Sequence, residues 1–232
     1  MIGMARFEKH VVINMILEIG LIPIFYHGDL DTAKKIVKAC ADGGAKVVEF
    51  TNRGDLAHQV FGELVKWCGK ENPDVILGAG TITDPETAAL YINNGANFIV
   101  SPILNPAIAE ICNLRGILYI PGCGSLTEIL QALRLGCYLV KVFPGKVVGP
   151  DFIRSVLGPY PWLKLMPMGG VEPTRKSISE WFRAGAAAVG MGSMLISKDL
   201  VRSGNFEEIS KRVRDCLAWI KEVREDLQAK KG

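Results

Sequence analysis

The chain has 232 residues, of which 49% are hydrophobic and 22% are charged, and this composition is typical of a folded globular protein. Its 27 basic and 24 acidic residues leave a formal net charge of +3, which excludes the strongly basic classes that bind nucleic acid or an anionic membrane surface. We therefore expect neither nucleic acid nor a membrane as a partner of this chain.

The first predicted element is an amphipathic helix over residues 6–19, within an N-terminal helical segment 1–20. Its apolar residues recur at four-residue intervals and a glycine follows them: Phe7, Val11, Met15, Ile19 and then Gly20. This is the pattern of a helix with one apolar face and a glycine at its end. Polar residues such as Glu8 and Asn14 interrupt the apolar ones, so we predict no signal peptide here.

From residue 21 onward, short apolar strands alternate with helices. Eight strands are predicted, over residues 21–26, 46–51, 75–81, 98–102, 118–121, 138–143, 164–168 and 187–191. Helices are predicted between them, including 31–41 and 56–68, and several begin at capping residues: Asp31, Asp84, Asn105 and Ser125. The last helix covers 206–228, in a C-terminal segment 205–232 that ends in a basic tail.

Strict alternation of strands and helices implies parallel strands joined by crossover helices. The fold class is therefore α/β. Eight such units favour a single domain over residues 1–232, a (β/α)8 TIM barrel with an extra N-terminal helix. A doubly wound open sheet is the alternative that the alternation leaves open.

A glycine repeat predicts how the strands are aligned. Four helix ends run from a glycine directly into a strand: Gly44, Gly95, Gly136 and Gly185. Glycine suits the left-handed conformation that ends a helix, so these strands should share a register. Because strand side chains alternate, the third, fifth and seventh residues past each glycine should all face one interior.

This register predicts the contents of the interior. The third positions form an apolar layer of Val47, Phe98, Leu139 and Ala188. The fifth positions place Glu49 opposite Lys141, together with Val100, and Gly190 is expected to leave room beside the pair. The seventh positions, nearest the catalytic end, are Thr51, Pro102, Phe143 and Gly192.

Lys141 is the strongest candidate for chemistry. It stands in the middle of the apolar run 138–144, and burial disfavours the charged form of an amine, which makes it a nucleophile toward carbonyl groups. It is therefore a candidate for Schiff-base formation. Two structural alternatives stay open, namely a lysine that reaches water from an edge strand and a buried ion pair with Glu49 that only satisfies two charges.

Polar and small residues follow several of the predicted strands. Arg53 lies just beyond Thr51 in a loop where its planar guanidinium suits a carboxylate, and Thr81 ends the third strand. The last two strands end in Gly169–Gly170 and in Gly192–Ser193. In TIM barrels the loops after the seventh and eighth strands commonly bind phosphate through backbone amides, so we predict a phosphate site there.

Cysteine and histidine residues do not form a metal-binding pattern. The six cysteines lack a CxxC motif or paired short spacings, which predicts reduced thiols and a cytoplasmic location. The three histidines, His10, His27 and His58, do not cluster with carboxylates at ligand spacing. No dinucleotide fingerprint or Walker loop is present either, so we predict no metal and no cofactor.

Together these motifs resemble the family of 2-dehydro-3-deoxy-6-phosphogluconate (KDPG) and 4-hydroxy-2-oxoglutarate (KHG) aldolases. The resemblance runs from residue 22 to residue 193. It is carried by short segments at 48–53, 78–81, 101–102, 120–122, 141–144, 169–170 and 192–193. Members of this family are class I lyases that cleave 2-keto-4-hydroxy acids to pyruvate and an aldehyde, and they are typically homotrimers.

The resemblance also implies roles for individual residues. Lys141 would form the Schiff base and Glu49 would be the general acid and base. Residues that would surround the pyruvate part of the substrate are Arg53, Thr81, Pro102, Phe143 and Thr51. Residues that would bind the phosphate are Gly169, Gly170, Gly192 and Ser193.

One departure from the family pattern concerns the substrate. The family usually has a threonine immediately before the Gly-Gly pair, whereas this chain has Met168, whose thioether cannot donate a hydrogen bond. The leading expectation is cleavage of KDPG to pyruvate and glyceraldehyde 3-phosphate. KHG cleavage to pyruvate and glyoxylate, a phosphate-binding epimerase or isomerase, and a non-catalytic sugar-phosphate-binding barrel are the alternatives.

Overall fold

The computed structural model describes residues 5–230, and this part of the chain contains nine strands and ten helices. The strands are β1 (Leu21–Phe25), β2 (Val47–Thr51), β3 (Ile76–Gly80), β4 (Phe98–Val100), β5 (Leu118–Ile120), β6 (Gly122–Cys123), β7 (Leu139–Val142), β8 (Lys164–Pro167) and β9 (Val189–Met191). The helices are α1 (Lys9–Ile19), α2 (Leu30–Asp42), α3 (Ala57–Glu71), α4 (Pro85–Asn93), α5 (Pro106–Leu114), α6 (Leu126–Arg134), α7 (Gly145–Leu157), α8 (Arg175–Arg183), α9 (Lys198–Arg202) and α10 (Phe206–Ala229). The predicted terminal segments extend to residues 1–4 and 231–232, which lie outside the described residues.

The strands form a curled parallel sheet in two hydrogen-bonded parts. One part has six strands in the order β5-β4-β3-β2-β1-β9, and the other has three in the order β6-β7-β8. Backbone contacts join the two parts on both sides. The Lys141 N–H donates to the Pro121 carbonyl oxygen at 2.9 Å, and a parallel bridge pairs Met168 with Gly190.

Pro121 explains why the strand predicted over residues 118–121 is observed as two short strands. Proline has no N–H to donate to a neighbouring strand, so the ladder is interrupted where it stands. The chain resumes pairing at Gly122, which lies in register with Lys141 of β7. The predicted run of strands is otherwise found in its order along the chain.

Apolar side chains fill two layers, one inside the curled sheet and one between the sheet and the helices. The inner layer, called here the interior cluster, consists of buried residues of the strands together with two of α1: Val12, Ile16, Ile22, Val47, Ile76, Phe98, Val100, Leu118, Ile120, Leu139, Met166, Met168 and Ala188. The four residues predicted from the third register position all belong to it and are fully buried. The shared register is confirmed, and the four glycines that precede these strands have φ between +78° and +104°.

Helix α1 packs against the interior cluster through Val12 and Ile16, and α10 contacts the C-terminal end of α1. Val12 and Ile16 of α1 are fully buried in the interior cluster. At the other end of α1, the Arg224 guanidinium donates to the carbonyl oxygens of Leu17, Glu18 and Ala187 at 2.8, 2.5 and 2.9 Å. One side chain of α10 therefore caps the end of α1 and joins it to the segment before β9.

Several helix boundaries differ from the sequence prediction. Helix α1 begins at Lys9 rather than at residue 6. Asp31 does not cap α2, because Asp29 is the N-cap and accepts a hydrogen bond from the Thr32 N–H. The caps predicted at Asp84, Asn105 and Ser125 are confirmed. Within residues 5–230, no helix combines the length and the hydropathy that a membrane crossing requires.

Candidate active site

Glu49 and Lys141 lie on different strands and both point into the buried interior. Glu49 is in the middle of β2 with 1% of its surface exposed, and Lys141 is on β7 with 7% exposed. Each influences the ionisation of the other. Among the contacts of the described residues there is no ion pair within 4.0 Å between them, and Glu49 Oε2 is buried without a hydrogen-bond partner. A buried acceptor of this kind is available to a hydroxyl group or a water molecule between the two residues.

Burial changes the ionisation of both groups toward their neutral forms. It raises the pKa of the Glu49 carboxyl, an effect that the positive charges of Lys141 and Arg53 partly oppose. Burial lowers the pKa of the Lys141 amine, and the carboxylate of Glu49 partly restores it. A lysine with a lowered pKa has more of the unprotonated amine that attacks a carbonyl carbon, and a carboxyl with a raised pKa can hold and return a proton.

Two glycines determine the space around this pair. A Cβ atom placed on Gly80 would lie 1.8 Å from Glu49 Oε1, so β3 makes room for the carboxyl by carrying a glycine. Gly190 does not leave open space beside the pair, so the sequence prediction is wrong on this point. A Cβ on Gly190 would lie 2.7 Å from Met168 Cγ and 2.8 Å from Met168 Cε, because the thioether side chain occupies that space.

Aromatic and backbone groups line the lysine side of the site. Lys141 Nζ lies 4.6 Å from the centroid of the Phe143 ring, and that ring also faces Gly169, where an added Cβ would lie 3.5 Å from it. Gly122, the register partner of Lys141, packs against the backbone of Pro102, whose carbonyl oxygen would lie 2.4 Å from an added Cβ. The structure therefore brings Phe143, Gly169 and Pro102 to the same region as Lys141.

The remaining pyruvate-side candidates occupy the C-terminal ends of β2 and β3. Thr51 is buried, and its hydroxyl donates to the Phe25 carbonyl oxygen at 3.3 Å, so this group is engaged with the neighbouring strand. Arg53 is exposed in the loop after β2, close enough to affect the ionisation of Glu49 and Lys141. Thr81 has φ of 62°, a strained conformation for a β-branched residue of the kind that concentrates at functional sites.

The two glycine turns lie side by side. The bridge between Met168 and Gly190 aligns the ends of β8 and β9, so Gly169–Gly170 and Gly192–Ser193 are adjacent. The carbonyl oxygens of Met168 and Gly169 accept hydrogen bonds from the first N–H groups of α7, at 2.8 and 2.5 Å. Because N–H and C=O point in opposite directions in a trans peptide, the N–H groups of Gly169 and Gly170 point away from α7.

Sequence reasoning missed how Gly80 and Met168 shape the site. Gly80 accommodates the Glu49 carboxyl, which sequence reasoning did not predict. The signal was present in the register, since Gly80 pairs with Thr51 and stands diagonally across from Glu49. Met168 was noted only for its missing hydroxyl, because its contact with Gly190 depends on the bridge between two distant strands.

Comparison with known proteins gives consistent results. The family model for KDPG and KHG aldolases matches residues 12–212. The chain is 29% identical over 211 residues to the 2-dehydro-3-deoxy-phosphogluconate aldolase of Haemophilus influenzae, covering 90% of this chain and 97% of that protein. It is also 29% identical over 199 residues to the 2-dehydro-3-deoxy-6-phosphogalactonate aldolase of Escherichia coli, covering 85% of this chain and 91% of that protein.

A solved structure gives a chemical comparison. The KDPG aldolase of Legionella pneumophila, with pyruvate captured as a covalent carbinolamine intermediate, superimposes with a TM-score of 0.79 and 25% identity, covering 86% of this chain and 95% of that one. The family model spans most of the chain. The chain belongs to the KDPG and KHG aldolase family and is a class I aldolase, a lyase.

Proposed function

We propose that the chain cleaves KDPG to pyruvate and glyceraldehyde 3-phosphate, with Lys141 as the Schiff-base residue and Glu49 as the general acid and base. The observation that carries this proposal is the buried amine of Lys141 facing a buried carboxyl whose Oε2 atom has no partner. The two groups supply the two functions that aldol cleavage needs, because a neutral amine is a nucleophile and a carboxyl group can accept and donate a proton.

The covalent steps begin at Lys141. Its neutral amine adds to the C2 carbonyl carbon of the keto acid and gives a carbinolamine. Loss of water converts the carbinolamine to an iminium ion, which accepts the electron pair of the C3–C4 bond when that bond breaks. The burial that lowers the pKa of Lys141 keeps the amine unprotonated for the first step. The adjacent Phe143 ring, 4.6 Å from Nζ, faces the cation that the iminium creates.

Glu49 moves the protons that these steps require. It removes the proton of the C4 hydroxyl as the C3–C4 bond breaks, so that the aldehyde forms, and it later returns a proton to C3 of the enamine. Hydrolysis of the resulting iminium releases pyruvate and regenerates the free amine. The Oε2 atom of Glu49, buried and without a hydrogen-bond partner in the described part of the chain, can accept a hydrogen bond from the C4 hydroxyl or from a water.

Other residues orient the substrate. Arg53 binds the carboxylate of the keto acid, and Thr81, Pro102, Phe143 and Thr51 surround the pyruvate portion. The N–H groups that point away from α7 at Gly169 and Gly170, together with Gly192 and Ser193, bind the distal phosphate. Binding at both ends of the substrate holds the reacting bond over Lys141.

We propose further that the two parts of the sheet form one closed (β/α)8 barrel in a single domain. The hydrogen bond from Lys141 to Pro121 and the Met168–Gly190 bridge support closure. A homotrimer is proposed from the family resemblance, and exposed apolar side chains such as Trp162 and Val147 supply surface that a subunit contact can cover. The six free, buried cysteines support a cytoplasmic location.

Trapping with borohydride tests the chemistry. Pyruvate and borohydride together should add a stable mass to the tryptic peptide that contains Lys141, and Lys141→Met should abolish the adduct. An adduct on another lysine, or no adduct with the folded wild type, would disprove the proposed role of Lys141.

The substrate is tested separately, by pyruvate release from a panel of 2-keto-3-deoxy acids with and without a 6-phosphate. KDPG should give the highest kcat/KM. Faster cleavage of KHG would instead assign the chain to the unphosphorylated substrate, and Met168, which replaces a hydroxyl donor, makes this comparison necessary.

A further inference from the structure

The direction of the Arg53 side chain depends on its backbone. Among the hydrogen bonds and ion pairs of residues 5–230, none involves the Arg53 guanidinium. Arg53 is exposed, yet its charge affects the ionisation of both Glu49 and Lys141. Because its side chain has no partner among the described residues, the placement of Arg53 depends on the backbone of the loop that carries it.

The residue before Arg53 is fixed by two hydrogen bonds. The N–H of Asn52 donates to the Gly80 carbonyl oxygen at 2.8 Å, which continues the pairing of β2 with β3. The Tyr91 hydroxyl donates to Asn52 Oδ1 at 3.0 Å. Tyr91 belongs to α4, is fully buried, and packs edge-on against Phe61 with ring centroids 5.2 Å apart. A rigid ring therefore extends from the helix layer to the end of β2.

The residue after Arg53 is fixed by a steric contact. A Cβ atom placed on Gly54 would lie 1.9 Å from the Tyr26 hydroxyl oxygen, so the loop backbone passes directly over this phenol. Tyr26 follows β1, and its ring packs edge-on against Phe50 at a centroid distance of 5.6 Å. Both neighbours of Arg53 are thus held by tyrosines from other elements.

We infer that Tyr91 and Tyr26 are positioning residues that hold the 52–54 backbone so that Arg53 binds the substrate carboxylate. This inference rests on the proposed function, in which Arg53 is the carboxylate partner. Because the carboxylate does not change during C3–C4 cleavage, an error in Arg53 placement weakens substrate and transition-state binding equally. Such a loss raises KM and leaves kcat unchanged.

The test is a double-mutant cycle between Tyr91→Phe and Arg53→Ala. Tyr91→Phe removes one hydroxyl and keeps the ring, and we expect it to raise KM about 2- to 10-fold, the range for loss of one buried hydrogen bond, with kcat within 2-fold of wild type. In the Arg53→Ala background, where no guanidinium remains to be positioned, the same substitution should leave KM unchanged. An unchanged KM for Tyr91→Phe in the wild-type background would overturn the inference, and so would an equal increase in both backgrounds.

A matched control is Tyr160→Phe, the same chemical change at a tyrosine that follows α7 and contacts Trp162, and it should leave KM and kcat unchanged. Gly54→Ala is a second variant that keeps the test decisive if Tyr91→Phe folds poorly. Its added methyl group collides with Tyr26 and displaces the loop, so it should also raise KM only when Arg53 is present.

Trapping separates the two proposals. If the wild type forms the Lys141 adduct with pyruvate and the cycle shows no coupling, only the positioning role is wrong. If the wild type forms no adduct, the proposed catalytic role of Lys141 is wrong, while a coupled rise in KM would still establish the positioning of Arg53.

Discussion

The carboxyl group of Glu49 occupies the space that Gly80 leaves by having no side chain. A Cβ on Gly80 would lie 1.8 Å from Oε1 and 2.5 Å from Cδ of Glu49, distances at which the two groups cannot coexist. The glycine on β3 therefore determines where the Glu49 carboxyl on β2 can lie.

We predict that Gly80→Ala lowers kcat for cleavage by about 10²-fold or more, because it displaces the carboxyl that we propose as the general acid and base. Trapping of pyruvate on Lys141 should continue, since the amine lies on another strand. Gly69→Ala is the control, because a Cβ there meets only the end of a flexible side chain at 3.5 Å. Cleavage at the wild-type rate by folded Gly80→Ala would show that the position of Glu49 does not matter.

Glu49→Gln should separate binding of pyruvate from cleavage. Glutamine has nearly the same shape and cannot accept the C4 hydroxyl proton, so kcat should fall by about 10²- to 10⁴-fold. Formation of the borohydride-trapped adduct with pyruvate should be better preserved. If cleavage and trapping both survive intact, Glu49 has no role in proton transfer.

The pH dependence of trapping should shift in a defined direction. Burial lowers the pKa of Lys141 below the ordinary lysine value of 10.5, and the negative charge of Glu49 partly opposes this. Removing that charge in Glu49→Gln lowers the pKa of Lys141 further, so the amine is unprotonated at lower pH. The rising limb of a trapping-rate profile, measured with cyanoborohydride, should therefore move to lower pH. A shift to higher pH would contradict the coupling between the two groups.

The effects of substitutions at Met168 and Gly190 on the free energy of unfolding should not be additive. A methyl group on Gly190 would overlap the Met168 side chain at 2.7–2.8 Å, and overpacking of this kind lowers the free energy of unfolding by about 1–3 kcal/mol. In a Met168→Ala background only Ile24 Cδ1, at 3.0 Å, remains close to the added methyl group, so Gly190→Ala should then cost less. Urea denaturation of the wild type, the two single variants and the double variant measures these free energies. Additive losses of stability would mean that the two residues are not in contact.

Arg224→Ala should destabilise the fold by about 2–3 kcal/mol, because three carbonyl groups lose a charged hydrogen-bond donor. The kcat of the folded fraction should not change, since the described contacts of Arg224 are with α1, Ala187 and Phe182 and include no candidate site residue. Arg202→Ala is the matched control. Its ion pair with Asp199 is 80% and 93% exposed, and exposed pairs contribute little. Equal unfolding midpoints for Arg224→Ala and Arg202→Ala would show that the hydrogen bonds of Arg224 do not stabilise the fold.

The sequence predicts the interior well because its register follows from local signals. Four glycines in a left-handed conformation start four strands at the same level, and strict alternation then brings Glu49 and Lys141 into one interior. The strand order along the chain follows from the same alternation of apolar runs and helices. Asp29, rather than Asp31, caps α2. Local sequence signals therefore predict that a helix is present more accurately than they predict the residue at which it begins.

The remaining features depend on contacts between distant segments. Nothing near Gly190 in the sequence indicates that Met168 fills its space, and nothing near Arg53 indicates that Tyr91 holds the preceding residue. The interruption of the strand at Pro121 can be predicted from the sequence, because proline has no N–H to donate to a neighbouring strand. Its consequence, a second short strand that pairs with β7, required the neighbouring strand to be known.

The packing of α1 against the interior cluster bears on the order in which products leave. Val12 and Ile16 are buried at one end of the interior, and the candidate site residues lie at the other end, at and beyond the C-terminal ends of the strands. Substrate entry and product release are therefore expected at that second end. In the proposed mechanism the aldehyde is free once the C3–C4 bond has broken, while pyruvate remains attached to Lys141 until its iminium is hydrolysed. Pyruvate, as the last product to leave, therefore competes directly with the incoming keto acid for the empty enzyme, and the aldehyde does not.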